Sequence, residues 1–352
     1  MKLSTLLLSS AALIVAGSAY AADLPAKKGA PAKAATGCPA FGAGYFQIPG
    51  GDTCMKFSGY FRYQASGRGD TQARGTSALT QSGVYALYMD VKSNSEAGVV
   101  NGHFEIGNED RAYVQIGGLT AGKFDSYSDL GVGGNIWPAA SFNDTGVAYS
   151  TSMGSATVTV GAVNPEDNFG ATATVTSRPD LFIAASMSAG AATIDTDFVA
   201  HEALTADKSA NGYAMIGKVS LPMAGAKLSV YGAYASAALQ YVAPEWTSGP
   251  SKTNFNDVSN TTGATSSGSS IGTALSVPAG DGKVNLFAYS ISLTDADTDA
   301  LKETDVGVNY AYTGIKGVTI RPEYVYSAQK FSGTASTDTN VQYVTLRIQR
   351  DF

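Results

Sequence analysis

The last twelve residues, VQYVTLRIQRDF from Val341 to Phe352, alternate apolar and polar side chains as far as a final phenylalanine. With a side-chain period of two, Val344, Leu346, Ile348 and Phe352 share one face, and Thr345, Arg347 and Gln349 share the other. An arginine among polar neighbours suits water and the opposite face suits lipid, which is how a strand of a transmembrane barrel is written. A half-buried edge strand of a soluble sandwich alternates in the same way. The rest of the chain has to separate the two.

The other end bears on compartment. Lys2 precedes an apolar run from Leu6 to Ala16, and Ala19-Tyr20-Ala21 offers a small-x-small cleavage site, so a secretory signal peptide cut between Ala21 and Ala22 is expected. Its apolar stretch is too short for a permanent span, and no later run reaches the roughly 18 to 20 apolar residues of a transmembrane helix. Cleavage leaves 331 of the 352 residues, with 22 basic against 29 acidic side chains. Such an acidic balance argues against nucleic acid as a partner, because backbone binding needs a basic surface.

The composition has 40 Gly, 19 Tyr and 14 Phe, but only 15% charged residues. Membrane barrels use glycine for tight turns and aromatics for interfacial girdles, and a mean hydropathy of -0.01 fits a chain in which only every second residue meets lipid. The two cysteines, Cys38 and Cys54, follow an Ala/Pro/Lys-rich stretch, residues 22–37, that reads as a flexible linker. In an exported chain a disulfide closing a small N-terminal loop is expected. Metal binding competes, although two thiols with no nearby histidine fall short of a closed zinc site. No cofactor is implied.

Beyond Cys54, sixteen alternating segments are predicted as strands, near residues 56–66, 82–93, 99–107, 111–119, 121–127, 145–152, 155–163, 180–188, 191–201, 211–220, 226–238, 269–278, 283–293, 303–313, 317–328 and 340–351. The connections alternate between short turns and mostly long loops, among them Gly67 to Gln81, Tyr127 to Asp144, Asn164 to Pro179, Gln240 to Gly268 and Gln329 to Thr339. That is the periplasmic and extracellular polarity of an outer-membrane barrel. The low-complexity stretch Ser248 to Ser270 belongs, on this reading, to the longest external loop.

Several segments together resemble the alphaproteobacterial general porins of the Brucella and Rhizobium type. They are Cys38-Pro39 with FGAGYFQIPGGDTCMKFSGYFRYQ (Phe41 to Gln64), RAYVQIGGLTAGKFDS (Arg111 to Ser126), NDTGVAYST (Asn143 to Thr151) and the closing VQYVTLRIQRDF. The likeness continues through Arg178 to Ala203 and Gly212 to Pro222. The resemblance implies an all-β, sixteen-stranded antiparallel barrel in outer-membrane lipid, assembled as a homotrimer and passing small hydrophilic solutes and ions. It also implies a third external loop folded into the lumen, here Lys123 to Gly146, with acids facing basic groups on the wall. One departure is the second loop: only Asn108, Glu109 and Asp110 separate the third and fourth strands, where general porins reach over a neighbouring subunit.

Strand parity assigns the lumen independently. With Phe57, Phe61 and Tyr63 facing lipid, Tyr60 and Arg62 point inward. With Ala112, Val114 and Ile116 outside, Arg111, Tyr113 and Gln115 line the pore, and Asp90, Lys92, Glu105, Arg321, Glu323 and Arg347 follow. A basic side chain facing lipid at the midplane costs about 2 to 4 kcal/mol, which enforces the assignment. Loop acids Asp125, Asp129 and Asp144 would then oppose Arg62, Arg111, Arg321 and Arg347 at a constriction, and the transverse field would favour small polar solutes. The same charges could also be ordinary solvated wall residues.

No enzyme is expected. His103 and His201 lack a nucleophile at a recognisable spacing, and there is no Walker-type loop or dinucleotide fingerprint. Two other readings stay open. A substrate-specific channel would need a row of lumen aromatics, of which Tyr60, Tyr88 and Tyr113 are candidates. A structural or adhesive barrel would use its long loops for binding and its N-terminal arm for attachment to peptidoglycan.

Overall fold

The computed structural model describes residues 36–70, 78–107, 111–128, 130, 143–165, 178–204, 207–242, 257–259, 261–297, 299–333 and 338–352. The Ala21–Ala22 cleavage point, the linker up to residue 35 and Asp129 lie outside them.

All sixteen expected strands are present. After a two-residue strand β1 (Phe46–Gln47) come β2 (Cys54–Asp70), β3 (Ala78–Ser95), β4 (Gly98–Ile106), β5 (Ala112–Ile116), β6 (Leu119–Asp125), β7 (Asn143–Met153), β8 (Ala156–Pro165) and β9 (Asp180–Ala189). The second half holds β10 (Ala192–Leu204), β11 (Ser209–Met223), β12 (Ala226–Ser236), β13 (Ser267–Ala279), β14 (Gly282–Thr294), β15 (Ala300–Ile315), β16 (Val318–Ser332) and β17 (Thr339–Asp351). From β2 onward each strand pairs antiparallel with the next. The last returns to the first: Val341 lies opposite Asp70 and Asp351 opposite Tyr60. The sheet is therefore a closed sixteen-stranded barrel without edges.

Connections at one end are all two residues long, as at Glu96-Ala97, Gly117-Gly118 and Ala224-Gly225. In the last, Ala224 and Gly225 both take positive φ, 40° and 90°. Two left-handed residues make the turn whose twist matches that of its flanking strands. Connections at the other end are longer, up to the stretch between β12 and β13. Several boundaries differ from expectation. β2 and β3 run several residues further than the alternating pattern, because the backbone ladder continues above the apolar band, where side-chain alternation is no longer demanded. Ser267 to Ser270, assigned to an external loop, begin β13.

The barrel is inside out relative to a soluble fold. Phe61 is 63% exposed on the lipid side and its neighbour Tyr60 only 6%. Val344, Leu346 and Ile348 on the closing strand are likewise exposed. Across the seam, Phe352 and Gly59 exchange backbone hydrogen bonds at 3.0 and 3.2 Å, and the Phe352 ring stacks on Phe61 with centroids 5.5 Å apart. Cys38 and Cys54 form a disulfide with Cα atoms 6.2 Å apart, fastening the N-terminal segment to the start of β2. Tyr45 of that segment lies 5.0 Å from the Lys92 ammonium.

Gly59 leaves the space that the seam needs. A Cβ there would press on the Ala86 carbonyl oxygen and come within 2.9 Å of the Phe352 ring. Gly59→Ala is expected to destabilise the refolded barrel by about 1–3 kcal/mol, seen as a lower urea midpoint in tryptophan fluorescence. An unchanged midpoint would show that the seam tolerates the methyl group.

Candidate functional site

The inner face is a polar surface with a cluster of arginines on one wall. Arg62 on β2, Arg347 on β17 and Arg321 on β16 point into the lumen from three adjacent strands, and Arg321 lies directly opposite Arg347 in the register. The braces of Arg62 and Arg347 are neutral. Arg62 Nε donates to Gln349 Oε1 at 2.9 Å, and Arg347 donates through Nε and Nη2 to Gln64 Oε1 at 3.0 and 2.8 Å. An amide oxygen orients a guanidinium without cancelling its charge. The Arg62 guanidinium also lies 4.4 Å from the Tyr60 ring centroid. Glu323 is buried beside this wall and accepts a 2.9 Å bond from Asn309 Nδ2.

Along β2 to β5 the wall turns aromatic. Tyr60, Tyr88, His103 and Tyr113 follow one another with ring centroids 6.3, 6.0 and 4.9 Å apart. His103 Nδ1 lies 2.8 Å from Asp90 Oδ1, which sets the ring in its place. Arg111 donates from Nε to Glu105 at 2.6 Å and from Nη1 to Asp125. This arginine is thus matched by carboxylates on its own wall.

Two further buried carboxylates stand on the far side. Counting round the ring, β9 and β10 stand eight strands from β17 and β2, diametrically across the lumen. They carry Asp180 and Asp197, both buried. Here the third external loop turns in: Ser126, Ser128 and Leu130 are buried, Tyr127 stacks on Phe182 of β9 at 5.1 Å, and Ser128 Oγ donates to Asp197. His201 on β10 binds Asp180 at 2.8 Å through Nδ1, and Tyr241 Oη donates to the same carboxylate.

A second inward segment follows β12, where the sequence reading placed only an external loop. Ala237 to Val242, including a 3-10 turn at Leu239–Tyr241, are almost fully buried. Leu239 and Val242 join a cluster with the inward side chains Ile291, Leu293 and Leu301. Gly268 of β13 makes this possible, because a Cβ there would meet Val242 and Leu293 at 2.7 Å and Leu239 at 3.0 Å. The segment is tied by Leu239 N–H to Asp257 Oδ1 at 2.8 Å. Burial raises the Asp257 carboxyl above its ordinary range, opposed by the His201 imidazole beside it.

Of the residues expected at the pore, Tyr60, Arg62, Arg111, Tyr113, Arg321 and Arg347 point inward as parity requires, as do Asp90, Lys92, Glu105 and Glu323. Asp125 and Asp144 belong to the ends of β6 and β7 rather than to the loop between them. Asp125 pairs with Arg111 beside it and not with an arginine across the lumen. Asp180, Asp197 and the Leu239–Val242 segment were not singled out in advance. Inward parity next to lipid-facing Phe198 marks Asp197; only the folded ring shows what it faces.

With this geometry in place, relatives can be set beside it. The profile of the Porin subfamily matches residues 23–348. The chain belongs to this family. The Sinorhizobium fredii protein named "Putative outer membrane protein y4fJ" is 36% identical over 173 residues, 42% of this chain and 50% of that protein. Porin Omp2b of Brucella suis is 32% identical over 187 residues, 44% of this chain and 51% of the relative. The chain spans about half the length of the curated relatives it matches. The outer membrane channel DcaP of Acinetobacter baumannii shares the fold, with a TM-score of 0.71 at 14% identity over 87% of this chain and 99% of that one. The protein is an outer-membrane β-barrel of the porin family.

Replacing Leu239 and Val242 together by aspartate sets two unpaired charges against Ile291 and Leu293, at a cost of several kcal/mol. The segment is expected to leave the lumen, and single-channel conductance in a planar bilayer to rise. Unchanged conductance in a folded variant would show that the segment lies off the conducting path.

Proposed function

We infer that the barrel is a water-filled channel for passive diffusion of small hydrophilic solutes and ions, and that it acts as a channel rather than a catalyst. The observation that carries this reading is the charged inner face of a closed barrel, where an arginine cluster on three adjacent strands has carboxylates both beside it and across the ring from it. Arg62 and Arg347 stand on neutral braces on one wall with Arg321 next to them, and Asp180 and Asp197 lie across the ring, with Asp144 on the intervening β7. Opposed charges across a narrow gap set up a transverse field that admits small polar solutes and disfavours large apolar ones. The constriction lies where the third loop turns in, between Asp144 and the arginines. Asp129, outside the described residues, would add to its acidic side, while Asp125 and Arg111 form a matched pair on its flank.

A homotrimer fits the outer surface. β5 has five residues and β6 seven, against about nine to eleven for a strand that spans the bilayer, so the wall is low at this point. Met89, Phe104, Ala112 and Val114 line an apolar hollow there, which a neighbouring copy would cover. Cleavage after Ala21 and attachment of the arm at Ala22 to peptidoglycan belong to the same reading. The arm's three lysines are compatible with an anionic polymer. A substrate-specific channel is a second reading, favoured by the aromatic row, because His103 fills the gap between Tyr88 and Tyr113. Current block by an aromatic solute but not by a saturated one of equal size would select it.

The first experiment is conductance of the refolded mature protein in a planar bilayer under a salt gradient. Steps closing in threes are expected from a trimer. The double variant Arg62→Ser/Arg347→Ser should shift the reversal potential toward cations, since it removes two positive charges from the narrow region. A folded wild type that conducts nothing would overturn the diffusion reading in favour of a structural or adhesive barrel.

A further inference from the structure

On the lipid side of β15 and β16, two lysines stand side by side. Lys302 follows the longer connection that opens β15, and Lys330 precedes the one that closes β16, so both lie at the extracellular end. Their inward neighbours Leu301, Glu303 and Gln329 are buried, whereas Lys302 and Lys330 are exposed. The register sets the two directly opposite each other. Like charges opposed across strands are destabilising, and among the described residues neither lysine has an ion-pair partner.

The same cross-strand row continues with hydroxyls. Lys302 is opposite Ser292 of β14, and Ser292 is opposite Ser269 of β13. Four residues deeper on the same outer face, Val306 lies opposite Tyr326, about 14 Å along the strands at 3.4 Å per residue. The lysine row therefore stands above the level where apolar and aromatic side chains meet the hydrocarbon, at the depth of the headgroups. An anion there would relieve the lysine repulsion and accept from the neighbouring serine hydroxyls.

We propose that Lys302 and Lys330, with Ser292 and Ser269 beside them, bind the phosphate of an outer-leaflet glycolipid. Compact ammonium groups act as point charges toward phosphate, and the chain presents them to the one class of anion fixed at that depth by its own acyl chains. This goes beyond the channel reading, because the site faces away from the lumen.

The test is native mass spectrometry of the refolded full chain in detergent, titrated with bisphosphorylated lipid A and with its dephosphorylated form. At the usual strength of a lysine near an anionic surface, Lys302→Gln/Lys330→Gln is expected to weaken retention of the phosphorylated lipid about thirtyfold. It should leave the dephosphorylated lipid unaffected. The single variants, each expected to lose a smaller share, serve if the double variant fails to fold. Single-channel conductance should match wild type, confirming both folding and outward orientation. Equal retention of both lipids by wild type, or no difference between wild type and variant, would overturn the proposal. So would loss of oligomer with lipid retention intact, which would assign the lysines to a contact between copies.

Discussion

Within hydrocarbon every backbone amide and carbonyl must find its partner inside the protein, and the pairing of β17 with β2 is the step by which this chain meets that demand. Until that seam closes, the sheet has two open edges; afterwards it has none. Closure also orders the rest of the molecule. It fixes which residue of each strand points inward, and it sets β9 and β10 opposite β2 and β17. Both polar walls of the lumen and the apolar exterior follow from the same register.

The strands were legible in the sequence because a barrel wall is a local code. Each segment states its own inside and outside, so Tyr60, Arg62 and Arg347 could be aimed without knowing the fold. What escaped was whatever depends on distance round the ring. Leu239-Gln240-Tyr241-Val242 is a short apolar run at the head of a polar stretch, and nothing local says it turns inward. Its burial depends on Gly268, almost thirty residues later and on the next strand. Asp125 illustrates the converse. Its loop position suggested a partner across the pore, yet Arg111, just before the adjacent strand β5, reaches it first.

The external connections differ in what they do once inside. The third loop brings serines and a tyrosine to β9 and β10, where Ser128 meets a carboxylate and Tyr127 a ring. The segment after β12 brings leucine and valine, and it converts part of the lumen wall near β14 and β15 into a packed apolar cluster. A barrel that looks uniformly wet from strand parity is therefore part polar wall and part packed core.

The glutamine braces on that side have a further consequence. Arg62 and Arg347 are held by Gln349 and Gln64, whose amides neither gain nor lose a proton over any acidity a bacterium meets. Carboxylate braces would let go as the surroundings turned acid and would alter the wall with the weather outside the cell. With amides in their place, the arrangement of Arg62 and Arg347 stays constant whatever the acidity outside.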